Sequence, residues 1–78
     1  MQVKVLGPGC SNCKKVYQIA EQAIAELQKE AELIYVTDLV EISKTGLMRT
    51  PGLMINDKIV SYGRIPSVDE VKEFMMKA

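Results

Sequence analysis

A long amphipathic stretch between two short apolar segments restricts the fold of this chain more than any other feature. Between about Ser11 and Glu30, apolar residues recur at alternating intervals of three and four, which predicts an amphipathic helix. The apolar positions are Val16, Ile19, Ala20, Ala23, Ile24, Leu27 and Ala31. The flanking segments, residues 3–6 and 33–36, are rich in β-branched residues and predict strands. A right-handed crossover through the helix makes these two strands parallel.

The middle of the chain predicts a second, shorter helix. Asp38 and Glu41 have the spacing of a capping box, and Gly46 is a typical helix stop. We expect a helix of about two turns between them, with Leu39 and Ile42 buried.

The last third of the chain predicts a hairpin followed by a helix. Asn56 and Asp57 lie between two apolar segments and tolerate the positive φ angles of a two-residue hairpin turn, and Gly63 ends its second arm. Ser67 and Glu70 form a further capping box. The helix that begins there is expected to direct four side chains inward: Val68, Val71, Phe74 and Met75.

The predicted order is therefore β-α-β-α-β-β-α. This is an α/β fold in which three helices flank a four-stranded mixed sheet. With 78 residues and no internal repeat, the chain (residues 1–78) is expected to form a single domain.

The composition of the chain excludes several classes of function. Ten basic and ten acidic residues cancel, so no net charge attracts nucleic acid or an anionic membrane. No apolar run approaches the ~18 residues of a membrane span, and none near the N-terminus reaches the roughly 7–15 of a signal peptide. We therefore expect a cytoplasmic protein. The chain has no histidine, which excludes imidazole-dependent catalysis and histidine metal ligands.

Cys10 and Cys13, the only two cysteines, are the candidates for chemistry. A disulfide between them closes a four-residue loop and stabilises a fold by about 2 kcal/mol in the chain-entropy model. In a reducing cytosol such a pair is more often catalytic or metal-binding than structural. At a helix N-terminus the first cysteine is exposed and the second lies one turn inside, which favours Cys10 as the nucleophile and Cys13 as the resolving thiol.

Three segments in this order resemble the thioredoxin superfamily, in particular its small glutaredoxin-like and thioredoxin-like disulfide proteins of prokaryotes. They are residues 9–13 (GCSNC), 49–52 (RTPG) and 63–67 (GRIPS). The resemblance implies a thioredoxin-like fold and a thiol–disulfide oxidoreductase that reduces protein or small-molecule disulfides. It implies no cofactor beyond the redox-active Cys10–Cys13 disulfide and no bound metal. The implied partners are a disulfide-containing protein and a thioredoxin-reductase-like electron donor; glutathione use is left open, and a monomer is expected.

The resemblance also implies substrate-binding residues. Thr50-Pro51 resembles the cis-proline element of the family, in which the residue before proline pairs with an extended substrate segment. The alternative is an ordinary trans proline at the start of a strand. Gly63 and Arg64 belong to a second loop expected near Cys10, where Arg64 either contacts an anionic partner or is simply solvated.

Lys14 and Lys15 are unusual in a first helical turn, where cations oppose the helix dipole. They are expected to lower the pKa of Cys10, and the alternative is a pair of solvated lysines. Residues 1–20, 42–56 and 58–68 contain no acidic residue. We therefore expect an electropositive face around Cys10 on a chain with no net charge.

The main alternative is a soft-metal chaperone that binds Cu(I) or Zn(II) through the same two thiolates. The fold of such proteins ends on a strand, whereas this sequence predicts a final helix. A further alternative is a non-catalytic interaction module, or half of an intermolecular zinc site with four cysteines.

Overall fold

The computed structural model describes residues 1–78 and has the predicted order of elements. The strands are β1 (Gln2–Leu6), β2 (Glu32–Val36), β3 (Gly52–Ile55) and β4 (Lys58–Tyr62). The helices are α1 (Ser11–Leu27), α2 (Leu39–Lys44) and α3 (Val68–Lys77). The fold class is confirmed, including the final helix that distinguishes it from the metal-chaperone fold.

The four strands form one mixed sheet in the order β2-β1-β3-β4. β1 and β2 are parallel, as the crossover through α1 requires, and the other two pairs are antiparallel. Leu6 lies opposite Gly52, and Gly52 lies opposite Tyr62. The end of β1, the start of β3 and the end of β4 therefore lie side by side.

The core is divided between the two faces of the sheet. On one face, α1 and α3 enclose nine buried side chains: Val3, Val5, Val16, Ala20, Ala23, Leu53, Ile55, Val71 and Met75. On the other face, α2 contributes Ile42 to a smaller cluster with Leu6 and Met54. Val5 and Leu6 belong to different clusters because successive strand residues point to opposite faces.

The predicted turn and one of the two predicted capping boxes are confirmed. Asn56 and Asp57 have φ angles of 50° and 68°, the left-handed values that a two-residue hairpin turn needs. The Ser67 side chain accepts from the Glu70 amide, and the Glu70 carboxylate accepts from the Ser67 amide. Gly46 follows α2 with a φ of 80°.

The end of α1 differs from the prediction. The helix ends at Leu27, and Gln28 adopts a left-handed conformation with φ 52°, so Ala31 lies outside it. Ala31 nevertheless packs against the larger core cluster, which explains why it continued the apolar pattern.

Two predictions for α2 are wrong. Leu39 is 64% exposed, because a helix of six residues brings only Ile42 into contact with the sheet. The capping box is incomplete: the Asp38 carboxylate accepts from the Val40 amide at 2.9 Å, whereas Glu41 pairs with Lys44 at 3.4 Å.

No helix of the chain has the length and apolar character needed to cross a membrane.

Candidate dithiol site

The two cysteines occupy the first turn of α1 and are joined by a disulfide. Cys10 is the N-cap residue with extended backbone angles, and its sulfur accepts a hydrogen bond from the Cys13 amide at 3.2 Å. The Cα atoms lie 5.1 Å apart. Cys10 is exposed, whereas Cys13 is completely buried. An attacking group from solution therefore reaches Cys10 before Cys13.

Gly7 makes room for the buried cysteine. It lies at the end of β1, where its amide donates to the Val36 carbonyl at 2.9 Å. A Cβ atom at this position would overlap the Cys13 sulfur and would lie 2.9 Å from the Cys13 Cβ. No sequence pattern singled out Gly7, because the contact that requires it joins a strand to a helix.

The register of the sheet brings three loop residues to the cysteine end. Leu6 and Gly52 lie opposite each other in the antiparallel pair of β1 and β3. Gly7 follows Leu6 and Pro51 precedes Gly52, so Gly7 and Pro51 lie at the same level of the sheet. Gly63 follows Tyr62, the partner of Gly52. Because Gly7 contacts Cys13, the loops that carry Pro51 and Gly63 lie at the end of the sheet that carries the disulfide.

The Pro51 and Gly63 loops are hydrogen-bonded to each other. The Thr50–Pro51 peptide bond is cis, and Pro51 is buried while Thr50 is exposed. The Gly63 amide donates to the Pro51 carbonyl at 3.0 Å. Gly63 has a φ of 72°, and the Arg49 side chain lies against it, 3.2 Å from where a Cβ would be. No sequence pattern indicated this packing, because Arg49 and Gly63 belong to different loops.

Arg64 is not the unpaired cation that the sequence suggested. Its guanidinium donates to both carboxylate oxygens of Glu70, at 3.2 and 2.7 Å. These bonds are the main reason why the pKa of Glu70 is lowered to about 2, and the hydrogen bond from the Ser67 amide is the second reason. The same ion pair raises the pKa of Arg64. Counting acidic residues within 58–68 missed the pair, since Glu70 lies two positions beyond that stretch.

The two lysines after Cys13 lie in the first turn of α1. Lys14 and Lys15 are both exposed, and neither forms an ion pair with a carboxylate. Lys4, by contrast, pairs with Asp57 of the hairpin at 3.7 Å, far along the sheet from the cysteines. The positive charge near Cys10 therefore comes from fewer residues than the acid-free stretches implied.

The fold and the exposed–buried cysteine pair define a thioredoxin-like protein. Residues 1–76 match the family model described as the thioredoxin domain. The chain is 41% identical over 71 residues to a thioredoxin of Methanocaldococcus jannaschii, covering 91% of this chain and 81% of that protein. It is 31% identical over 75 residues to a thioredoxin of Methanothermobacter thermautotrophicus, covering 96% and 97% respectively. The chain belongs to the thioredoxin domain family.

Proposed function

We propose that the chain is a thiol–disulfide oxidoreductase that reduces disulfides of proteins or small molecules. The exposed Cys10 bonded to the buried Cys13 at the start of α1 carries this proposal. The names and similarity of the two archaeal thioredoxins support it.

In the proposed reaction the Cys10 thiolate attacks one sulfur of a target disulfide. A mixed disulfide forms, and the other target sulfur leaves as a thiolate. Cys13, once deprotonated, then attacks the Cys10 sulfur, forms the Cys10–Cys13 bond and releases the second target thiolate. The target gains two electrons and the cysteine pair loses two, which a thioredoxin-reductase-like donor returns.

The substrate is proposed to lie along the loop before β3. Thr50 is exposed beside the buried Pro51, so its backbone is accessible to an extended segment carrying the target cysteine. Gly63 and Arg64 would border this segment. Because Arg64 already pairs with Glu70, its role would be to orient the loop more than to bind an anion. The proposed setting is one cytoplasmic domain, with neither nucleic acid nor membrane as partner.

Replacing each cysteine tests the two assigned roles. Cys10→Ser should abolish turnover in a disulfide-reduction assay driven by dithiothreitol or by an NADPH-dependent reductase. Cys13→Ser should keep the first step and accumulate a mixed disulfide with a protein target, visible on a non-reducing gel and released by dithiothreitol. Turnover by Cys10→Ser, or a trapped adduct in Cys10→Ser alone, would contradict the assignment.

Metal analysis of the same purified protein separates this proposal from the soft-metal alternative. Two thiolates at this spacing suit Cu(I) or Zn(II). An active reductase purified without stoichiometric metal supports the dithiol function. Stoichiometric copper or zinc without reductase activity would favour metal handling.

A further inference from the structure

Arg49, in the loop before β3, is an exposed cation that meets no carboxylate. It takes part in none of the ion pairs of the molecule. The other arginine, Arg64, donates to both carboxylate oxygens of Glu70. The two arginines therefore differ, although both belong to loops at the cysteine end of the sheet. Only Arg49 has its guanidinium available to a carboxylate outside the molecule.

The aliphatic part of Arg49 packs on the neighbouring loop. A Cβ at Gly63 would lie 3.2 Å from the Arg49 Cδ and 3.3 Å from the Arg49 Cβ. The Gly63 amide donates to the Pro51 carbonyl at 3.0 Å, which joins this loop to the one that carries Arg49. A side chain that is already packed loses less conformational freedom when it binds a ligand. The fold therefore positions the Arg49 charge before a substrate arrives.

The Arg49 side chain lies two strands away from the dithiol. At the cysteine end of the sheet, β3 separates the end of β1 from the end of β4. Adjacent strands are about 4.8 Å apart, so Gly63 lies about 10 Å from Gly7, which contacts Cys13. An extended segment advances about 3.3 Å per residue. A substrate segment whose cysteine is bonded to Cys10 therefore reaches Arg49 with a residue about two or three positions away.

We propose that Arg49 binds a carboxylate of the substrate, so that the preferred target is a protein segment with an acidic side chain two or three residues from its disulfide cysteine. The proposal rests on the proposed reductase function and specifies its substrate class. A guanidinium donates in a planar fork that matches both oxygens of a carboxylate. The pairing of Arg64 with Glu70 has this two-bond form within the same protein.

Lys14 and Lys15 are the other unpaired cations near Cys10, and their expected effect is different. Each carries an ammonium group on a flexible, exposed stem. They attract an anionic substrate wherever its charge lies, whereas the packed Arg49 favours an acid at one spacing from the cysteine. The dependence of the rate on the position of the acid therefore separates the two sources of positive charge.

Single-turnover reduction of peptide disulfides by the pre-reduced protein tests the proposal. Each substrate is a blocked peptide of alanine and glycine with one central cysteine, oxidised to the symmetric dimer. Glutamate, glutamine or lysine occupies the second residue on both sides of the cysteine, and a fourth peptide carries glutamate only at its ends, about six residues away. Dividing each rate by the rate with dithiothreitol corrects for the reactivity of the peptide disulfide itself.

The position of the glutamate should determine the rate with the wild type. The peptide with glutamate near the cysteine should react about two- to fivefold faster than the glutamine peptide, which is the range of an exposed ion pair. The peptide with distant glutamate should show a smaller gain. Raising the salt concentration to about 0.5 M should reduce both gains, because salt screens exposed charges.

Variants of Arg49 test whether this residue causes the preference. Arg49→Gln should lose most of the preference for the peptide with nearby glutamate, and Arg49→Lys should keep part of it. Arg49→Glu should prefer the lysine peptide. Lys58→Gln is the matched control, because it removes one exposed and unpaired cation at the hairpin end of the sheet, and it should keep the wild-type ratio.

Three outcomes would overturn the role of Arg49. They are a preference that persists in Arg49→Gln, a preference that is equal for near and distant glutamate, and an effect of the variants confined to glutathione disulfide. The last is a small disulfide that also carries carboxylates, whereas the proposal specifies a protein segment. Failure of the wild type to reduce any of the peptides would instead contradict the proposed function on which this role rests.

Discussion

Gly7 affects the position of the buried Cys13 sulfur because it has no side chain. The space that a Cβ would fill is occupied by the Cys13 sulfur, which the disulfide and the start of α1 hold in place. The burial of Cys13 therefore depends on a residue outside the Cys-x-x-Cys segment.

We expect Gly7→Ala to lower the free energy of unfolding of the oxidised protein by about 1–3 kcal/mol, as overpacking of a core does. Gly52→Ala is the matched control, since it is also buried but its Cβ would meet the flexible Leu47 methyl groups, at 2.6 and 2.7 Å. Denaturant unfolding of both variants measures the difference. Equal stability of Gly7→Ala and the wild type would show that α1 moves freely away from β1.

The exposed, unpaired lysines beside the cysteines lead to a second prediction at this scale. Replacing Lys14 and Lys15 with glutamine removes two cations from the turn that holds the thiolate, so the pKa of Cys10 in the reduced protein should rise. Thiolate absorbance as a function of pH measures it. Lys29→Gln, beyond the far end of α1, is the control and should leave the titration unchanged. An unchanged titration in the double variant would identify Lys14 and Lys15 as solvated surface residues.

At the scale of the elements, α3 is held to its preceding loop by Glu70, which caps the helix and pairs with Arg64. The capping box could be predicted because its two partners are three residues apart in the sequence. The ion pair could not, because it depends on how residues 63–67 fold back onto the helix. The exposure of Leu39 was missed for the same reason: helical spacing predicts one face, while the area that α2 covers is a property of the whole sheet.

The low pKa of Glu70 predicts a pH-dependent contribution to stability. Since folding lowers this pKa from 4.5 to about 2, the ionised carboxylate stabilises the fold above pH 4.5, and this contribution is lost as the pH falls towards 2. Glu70→Gln should therefore be less stable than the wild type at pH 7, and the two should converge near pH 2. Thermal unfolding at several pH values measures the gap. Glu73→Gln, a neighbouring exposed carboxylate, is the control; a gap that does not narrow in acid would contradict the assignment.

At the scale of the molecule, the fold followed from sequence because hydrophobic period, turn residues and caps all indicated the same order of elements. The cysteine pair could be placed for the same reason, since its helix was predicted. What sequence could not show were contacts between distant segments: the packing of Gly7 on Cys13 and of Arg49 on Gly63. Each depends on strand register and loop closure, which local patterns do not encode.

Reduction of the disulfide should leave the molecule folded. The bond joins residues three apart, so in the chain-entropy model it contributes about 2 kcal/mol, whereas both core clusters lie elsewhere along the chain. We expect dithiothreitol to shift the denaturant midpoint only modestly and to leave the circular dichroism spectrum unchanged. Cys10→Ser should unfold like the reduced wild type. Unfolding of the wild type on reduction would mean that the disulfide is structural.

The Asn56–Asp57 turn lies at the other end of the sheet from the cysteines, since Ile55 pairs with Val3 near the start of β1. The Asn56 side chain accepts from the Gln2 amide at 2.9 Å, and Asp57 pairs with Lys4, so the turn is tied to the first strand. A tether attached at this turn, to a resin, an electrode or a second protein, would join the molecule at a turn that is bonded to β1. The Cys10 sulfur would then face away from the attachment point. The hairpin turn is thus a suitable position for attaching the protein without covering its cysteines.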